Sequence, residues 1–195
     1  STAVSRIMQR RHFLTLPLAA SVAACSIAPD YDHNGDDAPR FDAAQARPAR
    51  MAWVFSSGGP RGFVHVGVLR ALEELGLRPD LIVGGSVGAL VGALYASGIG
   101  AERLQAMALA LGMSDMGRLA VTGEGRFAGS PIAELINREV AHRPIEKLPA
   151  RFAAAVIVRD TRKPMLFNAG NAGLAVQASC AIEGTFTPVR IRGTQ

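Results

Sequence analysis

Apolar positions recur along this chain in two rhythms. Ala52-Trp53-Val54-Phe55 is a short continuous apolar run that ends in Ser56-Ser57-Gly58-Gly59, the mark of a buried strand entering a tight turn. Over residues 63–75 the rhythm changes. Val64, Val68, Leu72 and Leu75 fall at helical spacing, Glu73 and Glu74 lie off that stripe, and Gly76 stands where a helix stops. Pro79-Asp80 punctuates the chain, and Leu81-Ile82-Val83 reads as a second strand. Residues 89–97 then read as a helix closed by Gly98. Strand, helix, strand, helix in this order implies parallel strands.

The later chain continues in the same manner. A helix is expected over 102–111, and another opens at Ser130-Pro131, with Ser130 as N-cap and Pro131 at the first helical position. A strand over 152–158, a turn over 160–164, a strand over 165–167 and a helix over 174–181 complete the pattern. Residues 112–129 are glycine-rich and read as a loop or lid, and no internal repeat is present. The fold class expected is α/β with a mainly parallel sheet and helices on both faces.

The N-terminus follows a different logic. Met8-Gln9-Arg10-Arg11-His12-Phe13-Leu14 carries two adjacent arginines, and a mostly apolar run follows over residues 13–24. As a helix that run would rise about 18 Å, too short for a hydrocarbon core of about 30 Å. A basic stretch, a short apolar stretch and small residues at its end read as an export signal over 1–24. The arginine pair resembles a twin-arginine signal, with Met8 as the start and the seven residues before it as upstream readthrough. Val22-Ala23-Ala24-Cys25 resembles a bacterial lipobox. That resemblance implies acyl chains on Cys25 and a membrane anchor, each buried methylene contributing about 0.8 kcal/mol. Ser26 after the cysteine implies the outer membrane by the usual sorting rule. The alternative is an ordinary cleaved signal. Residues 25–49 hold Pro29, Asp30, Asp32, Asn34, Gly35, Asp36, Asp37, Pro39 and Pro48 with no hydrophobic period, and read as a flexible spacer.

Composition narrows the remaining stretch, residues 50–195, to one globular domain. The chain has 195 residues, 49% hydrophobic and 19% charged, which suits a single packed core and excludes disorder. The formal net charge is +5, but Arg6, Arg10 and Arg11 of it lie in the leader, where no acid offsets them. No basic stripe is interleaved with aromatics, so nucleic acid is not an expected partner. The second cysteine, Cys180, reads as a small apolar residue in a late helix, and lipidation of Cys25 would leave it without a disulfide partner.

Two loops carry candidate chemistry. Gly58-Gly59-Pro60-Arg61-Gly62 joins a strand to a helix, so its backbone can approach a ligand closely and the helix offers unpaired N–H groups. Such a loop suits a phosphate, a dinucleotide or the oxyanion of acyl transfer. A dinucleotide site wants three spaced glycines and an acid at a later strand end, and Glu73 and Glu74 lie inside a helix instead. No Lys-Ser or Lys-Thr pair follows, which argues against a P-loop. The second loop is Gly84-Gly85-Ser86-Val87-Gly88, a Gly-x-Ser-x-Gly between a strand and a helix. A turn this tight projects the serine outward under strain, and flanking glycines relieve the crowding. The plain alternative is a tight turn with a capping serine. A serine nucleophile needs a base, yet His12 and His33 lie in leader and spacer, His142 follows a helix, and His65 sits in a first helical turn as a packing or capping residue.

Taken together, the runs Ser57–Leu69, Pro79-Asp80 and Gly84–Gly98 resemble the bacterial patatin-like phospholipases, as do Ala178-Ser179-Cys180-Ala181-Ile182 and Phe186-Thr187-Pro188-Val189. The resemblance covers about residues 51–193. It implies a three-layer α/β/α fold, a lipid or phospholipid ester as substrate, no cofactor and no metal. It implies Ser86 as nucleophile of a Ser–Asp dyad, with an oxyanion hole from Gly58, Gly59 and their neighbours Pro60 and Gly62, and with Arg61 steadying that loop. The chain departs from the pattern in three places. Ser57 stands for a glycine and Glu183 for a proline. The dyad aspartate belongs to an Asp-Gly pair, which residues 1–195 do not contain, so the domain is expected to be C-terminally incomplete. Asp80 and Asp160 fall in turns and read as structural. Two other functions follow from the same residues: a catalytically silent, membrane-anchored lipid-binding protein, and an acyl transferase of related fold.

Overall fold

A computed structural model of the chain describes residues 32–112, 116–119 and 127–193. In chain order the elements are β1 (Ala52–Phe55), α1 (Phe63–Glu74), β2 (Leu81–Gly85), α2 (Val87–Ala96) and α3 (Ala101–Ala110). They continue as β3 (Arg118–Leu119), β4 (Phe127–Ala128), α4 (Ser130–Glu139), β5 (Phe152–Val158), β6 (Lys163–Phe167) and α5 (Ala172–Cys180). The main sheet has the order β1-β2-β5-β6. Its first three strands are parallel, and β6 returns antiparallel through a turn at 159–162. The mainly parallel sheet is therefore as the βαβα rhythm implies.

Helix ends follow local chemistry. Gly76 (φ 69°) and Gly98 (φ 98°) close α1 and α2. In each the glycine N–H and the next N–H fold back onto the last turn, with Gly76 to Glu73 and Leu77 to Leu72, then Gly98 to Tyr95 and Ile99 to Leu94. That is the Schellman arrangement, which glycine adopts without steric cost. At α4 the sequence expectation needs correcting. Gly129 is the N-cap, and Ser130 is already helical with no capping bond from its side chain. Pro131 takes the second position, where its missing N–H costs nothing. The last helix begins earlier than its apolar rhythm indicates, because the Asn171 side chain accepts the Leu174 N–H at 2.9 Å and caps it.

Packing is densest beneath α2. Every residue from Gly88 to Ala96 is buried, so this helix is apolar on all sides. A Cβ on Gly92 would stand 3.0 Å from Ile82 and 3.2 Å from Phe152, and one on Gly88 would collide with the carbonyls of Phe55 and Ser56. The helix thus rests directly on β1, β2 and β5. Trp53, Phe55, Ile82 and Phe152 are buried on that face. On the opposite face Val54 is 73% exposed and Ile157 62%. α2 thus covers the more deeply buried face of these strands. The strands β2 and β5 run parallel, and the right-handed connection between them carries α2 across that face.

Two stretches without hydrophobic rhythm acquire structure. Residues 32–49, read as part of a flexible spacer, lie along the domain. The His33 N–H donates to the Arg190 carbonyl at 3.0 Å and the Arg40 N–H to Ala169 at 3.0 Å, and Ala38 is fully buried. Backbone groups make these contacts, so composition carried no trace of them. From the glycine-rich 112–129 stretch, β3 and β4 form an antiparallel pair; 113–115 and 120–126 lie outside the described residues, as does Cys25.

The two faces of the sheet predict opposite responses to truncation. Ile82→Ala should lower unfolding free energy by about 2–5 kcal/mol, while Val54→Ala should change it by less than about 0.5 kcal/mol. Urea denaturation of the two variants measures both.

Candidate active site

β2 ends at Gly85 and α2 begins at Val87, so Ser86 alone turns the corner. Its backbone sits at φ 53°, ψ −124°. A serine at positive φ is strained by about 1–3 kcal/mol and persists only when its surroundings hold it. The surroundings here are specific. The Ser86 carbonyl accepts from Ala89 at 2.8 Å and Leu90 at 3.1 Å. The Ser86 N–H donates to Ser179 Oγ at 2.8 Å, and the Ser179 hydroxyl donates to the Ala155 carbonyl at 2.6 Å. Close approach completes the corner: a Cβ on Gly84 would collide with the Gly88 carbonyl. The positive end of α2 points at this turn.

The glycine loop stands against the same corner. Gly59–Gly62 form a 3₁₀ turn in which the Arg61 N–H donates to the Gly58 carbonyl at 3.2 Å. Gly62 is buried against the Val87 methyls, in a space that a Cβ would fill. Ser57, Gly58, Gly59, Gly85 and Ser86 all line one cavity of ≈ 1220 Å³, whose far walls come from β5, β6 and residues 178–192. Pro60 and Arg61 are exposed beside it.

Residues 53–195 match the pattern that defines the patatin-like phospholipases. The chain belongs to the patatin-like phospholipase family. An uncharacterized NTE family protein of Mycobacterium tuberculosis is 31% identical over 147 residues, which cover 74% of this chain and 41% of that one. Patatin-like phospholipase domain-containing protein 6 of Homo sapiens is 30% identical over 145 residues, or 71% of this chain and 10% of that one. The fold is also similar to a chain in the solved complex of full-length SpcU with full-length ExoU from the type III secretion system of Pseudomonas aeruginosa. That match has a TM-score of 0.50 and 16% identity, and covers 69% of this chain and 38% of that one. The chain thus spans less than half the length of these relatives.

Within this patatin-like domain none of the other titratable candidates is among the residues lining the cavity. His65 donates Nε2–H to the Ser56 carbonyl at 2.8 Å and packs on the Phe55 ring at 5.2 Å, the packing role read from the sequence. Asp80 accepts the Met51 and Arg50 N–H groups at 3.1 and 2.9 Å, and these bonds hold its carboxyl below the usual range. Asp160 lies in the β5–β6 turn. His33 is bridged to Ile191, and His142 is exposed just past α4. Among the described residues no carboxylate or imidazole hydrogen-bonds the Ser86 hydroxyl. Cys180 is buried, which pushes its thiol up to about 12, against a weaker opposing effect of the nearby Ser86 hydroxyl. It therefore stays a neutral thiol at physiological pH.

Sequence reasoning missed Ser179 as a support of the corner. Its only signal is a lone hydroxyl in an apolar helix. It also left the replacement at Glu183 unexplained; that carboxylate holds Arg162 in a forked pair at 3.0 and 3.4 Å. Removing the Ser179 hydroxyl takes away the recorded partner of the Ser86 N–H and one bond to the Ala155 carbonyl. Ser179→Ala should thus cost about 1–3 kcal/mol of unfolding free energy, and Ser179→Thr, which keeps the hydroxyl, clearly less. Guanidinium unfolding of the pair distinguishes them.

Proposed function

We propose that this chain carries the acyl-transfer site of a serine hydrolase of lipid esters, of the phospholipase A or lysophospholipase type, with Ser86 as nucleophile. One observation carries the reading: a serine held at positive φ between β2 and α2 shares a large, mostly apolar cavity with a strand-to-helix glycine turn. Ser86 Oγ attacks the ester carbonyl carbon while its proton passes to a base, and the carbonyl electrons move onto oxygen. Collapse of that intermediate releases the alcohol with a proton, and water then cleaves the Ser86 ester.

The oxyanion needs donors, and the geometry limits them. Ser86's own N–H is engaged by Ser179, Pro60 has no N–H, and the Arg61 N–H is engaged by Gly58. Gly58 and Gly59 remain as the loop's donors, and Val87 stands at the α2 N-terminus where N–H groups lack helical partners. Loss of one such donor typically raises the barrier by about 3 kcal/mol. Gly62 serves by seating the loop against Val87, and Gly84, Gly85 and Gly88 by letting the corner form. The base in this reading is the aspartate of an Asp-Gly pair, as the family resemblance implies.

A second reading, lipid binding without turnover, is favoured by the lack of a base at Ser86 among the described residues. Labelling separates the two. A fluorophosphonate should label the wild-type chain and leave Ser86→Ala unlabelled; equal labelling removes Ser86 from the role. Labelling of Ser86 without ester turnover would favour the second reading.

The reading also places the domain at a membrane through Cys25. Its support is the arginine pair, the short apolar run and the lipobox-like Val22-Ala23-Ala24-Cys25, at the end of a signal whose cleavage would make Cys25 the first residue. Among the described residues no helix is long and apolar enough to cross a membrane. Metabolic labelling in a bacterial host with an alkyne fatty acid should mark the protein, and Cys25→Ala should abolish both the label and its sedimentation with membranes.

A further inference from the structure

We propose that the cavity beside Ser86 selects amphiphiles carrying an anionic group over neutral or zwitterionic ones of the same chain length; this rests on the lipid-ester reading above. The cavity wall has two chemistries. Phe41, Val156, Phe167 and Val189 contribute apolar surface suited to an alkyl chain. Among the described residues the charged lining consists of Arg40, Arg159, Arg162 and Arg192 with the carboxylate of Glu183. Every cation in the lining is a guanidinium, the group that matches phosphate and carboxylate in a two-pronged fork.

The positions of these arginines are imposed by the fold. Gly85 pairs with Ala155, so Ser86 lies beside β5 about 10–13 Å before Arg159 at the usual rise per strand residue. Arg159 and Arg162 come from the β5–β6 turn at that end. Arg40 and Arg192 come from another part of the rim. The segment at 33–40 is bridged to Ile191 and to Ala169, which brings both residues to the cavity. Thus charges from chain positions as far apart as Arg40 and Arg192 line one volume.

Internal groups engage Arg40, Arg159 and Arg162. Glu183 is engaged by Arg162. Arg40 donates to the Asp36 carbonyl and stands 3.9 Å from Glu146. Arg192 is exposed, and among the described residues its guanidinium has no ion-pair partner. A bound anion would supply the missing counter-charge next to an apolar wall. A zwitterion would bring its own cation into the same field, and a neutral ester would supply no charge at all.

Titration calorimetry on the full chain tests this with three probes: monododecyl phosphate, dodecylphosphocholine and inorganic phosphate. The phosphate monoester should bind at least about tenfold more tightly than the phosphocholine of equal chain length, the scale of one charge-assisted hydrogen bond. Inorganic phosphate should bind far more weakly than either, since it lacks the chain. Added salt should shrink the preference. Arg192→Glu, and more mildly Arg192→Gln, should remove the preference while the melting temperature stays at the wild-type value. Equal affinity for the two amphiphiles overturns the proposal, as does an unchanged preference in both variants. Binding of inorganic phosphate as tight as that of the monoester overturns it too, since the site would then read phosphate alone. The hydrolase reading is scored independently by fluorophosphonate labelling of Ser86. Lost discrimination with labelling intact removes only the charge selectivity; lost labelling with discrimination intact removes the hydrolase and leaves the ligand class.

Discussion

The distance between α2 and the strand ends beneath it is the constraint from which the rest of this structure follows. Gly88 lies on the Phe55 and Ser56 carbonyls, and Gly84 lies under the Gly88 carbonyl. No side chain fits in either gap. Because the helix sits this low, the chain must leave β2 and enter α2 through a single residue. That residue is forced to positive φ, and its side chain is left facing the cavity. The strain at Ser86 is therefore a consequence of close packing that the all-apolar surface of α2 stabilises.

Two contacts convert that packing into a defined site. Ser179 ties the Ser86 N–H to the Ala155 carbonyl, linking β2, β5 and α5 through one hydroxyl. Gly62 lets the 3₁₀ turn rest against Val87, so the loop after β1 is placed by the same helix that places the serine. The same packing thus holds both the Ser86 hydroxyl proposed to attack and the backbone N–H groups proposed to receive the oxyanion. Such pre-organisation is what makes donors of this kind effective, since none need reorient during reaction.

The cavity shows how loops without rhythm become walls. Residues 32–49 reach it through backbone hydrogen bonds and through the burial of Ala38 and Pro39. They carry Arg40 and Phe41 to the same volume that the β5–β6 turn supplies with Arg159 and Arg162. The domain and its N-terminal strap consequently act together in shaping what enters.

Much of this was legible in the residues alone. The two apolar rhythms, the glycine stops at Gly76 and Gly98, and the strand-then-helix setting of both loops all arise from contacts within a few residues, and these the sequence determined by itself. Ser86 was recognisable because its corner needs glycine on both sides, which is a local demand. Tertiary structure decided what depends on residues far apart. The Ser86 to Ser179 bond spans 93 positions and the Arg40 to Ala169 bridge joins two loops; neither leaves a periodic trace. The face of the sheet that α2 covers was likewise set by the path from β2 to β5, a property of the whole chain that no local pattern encodes.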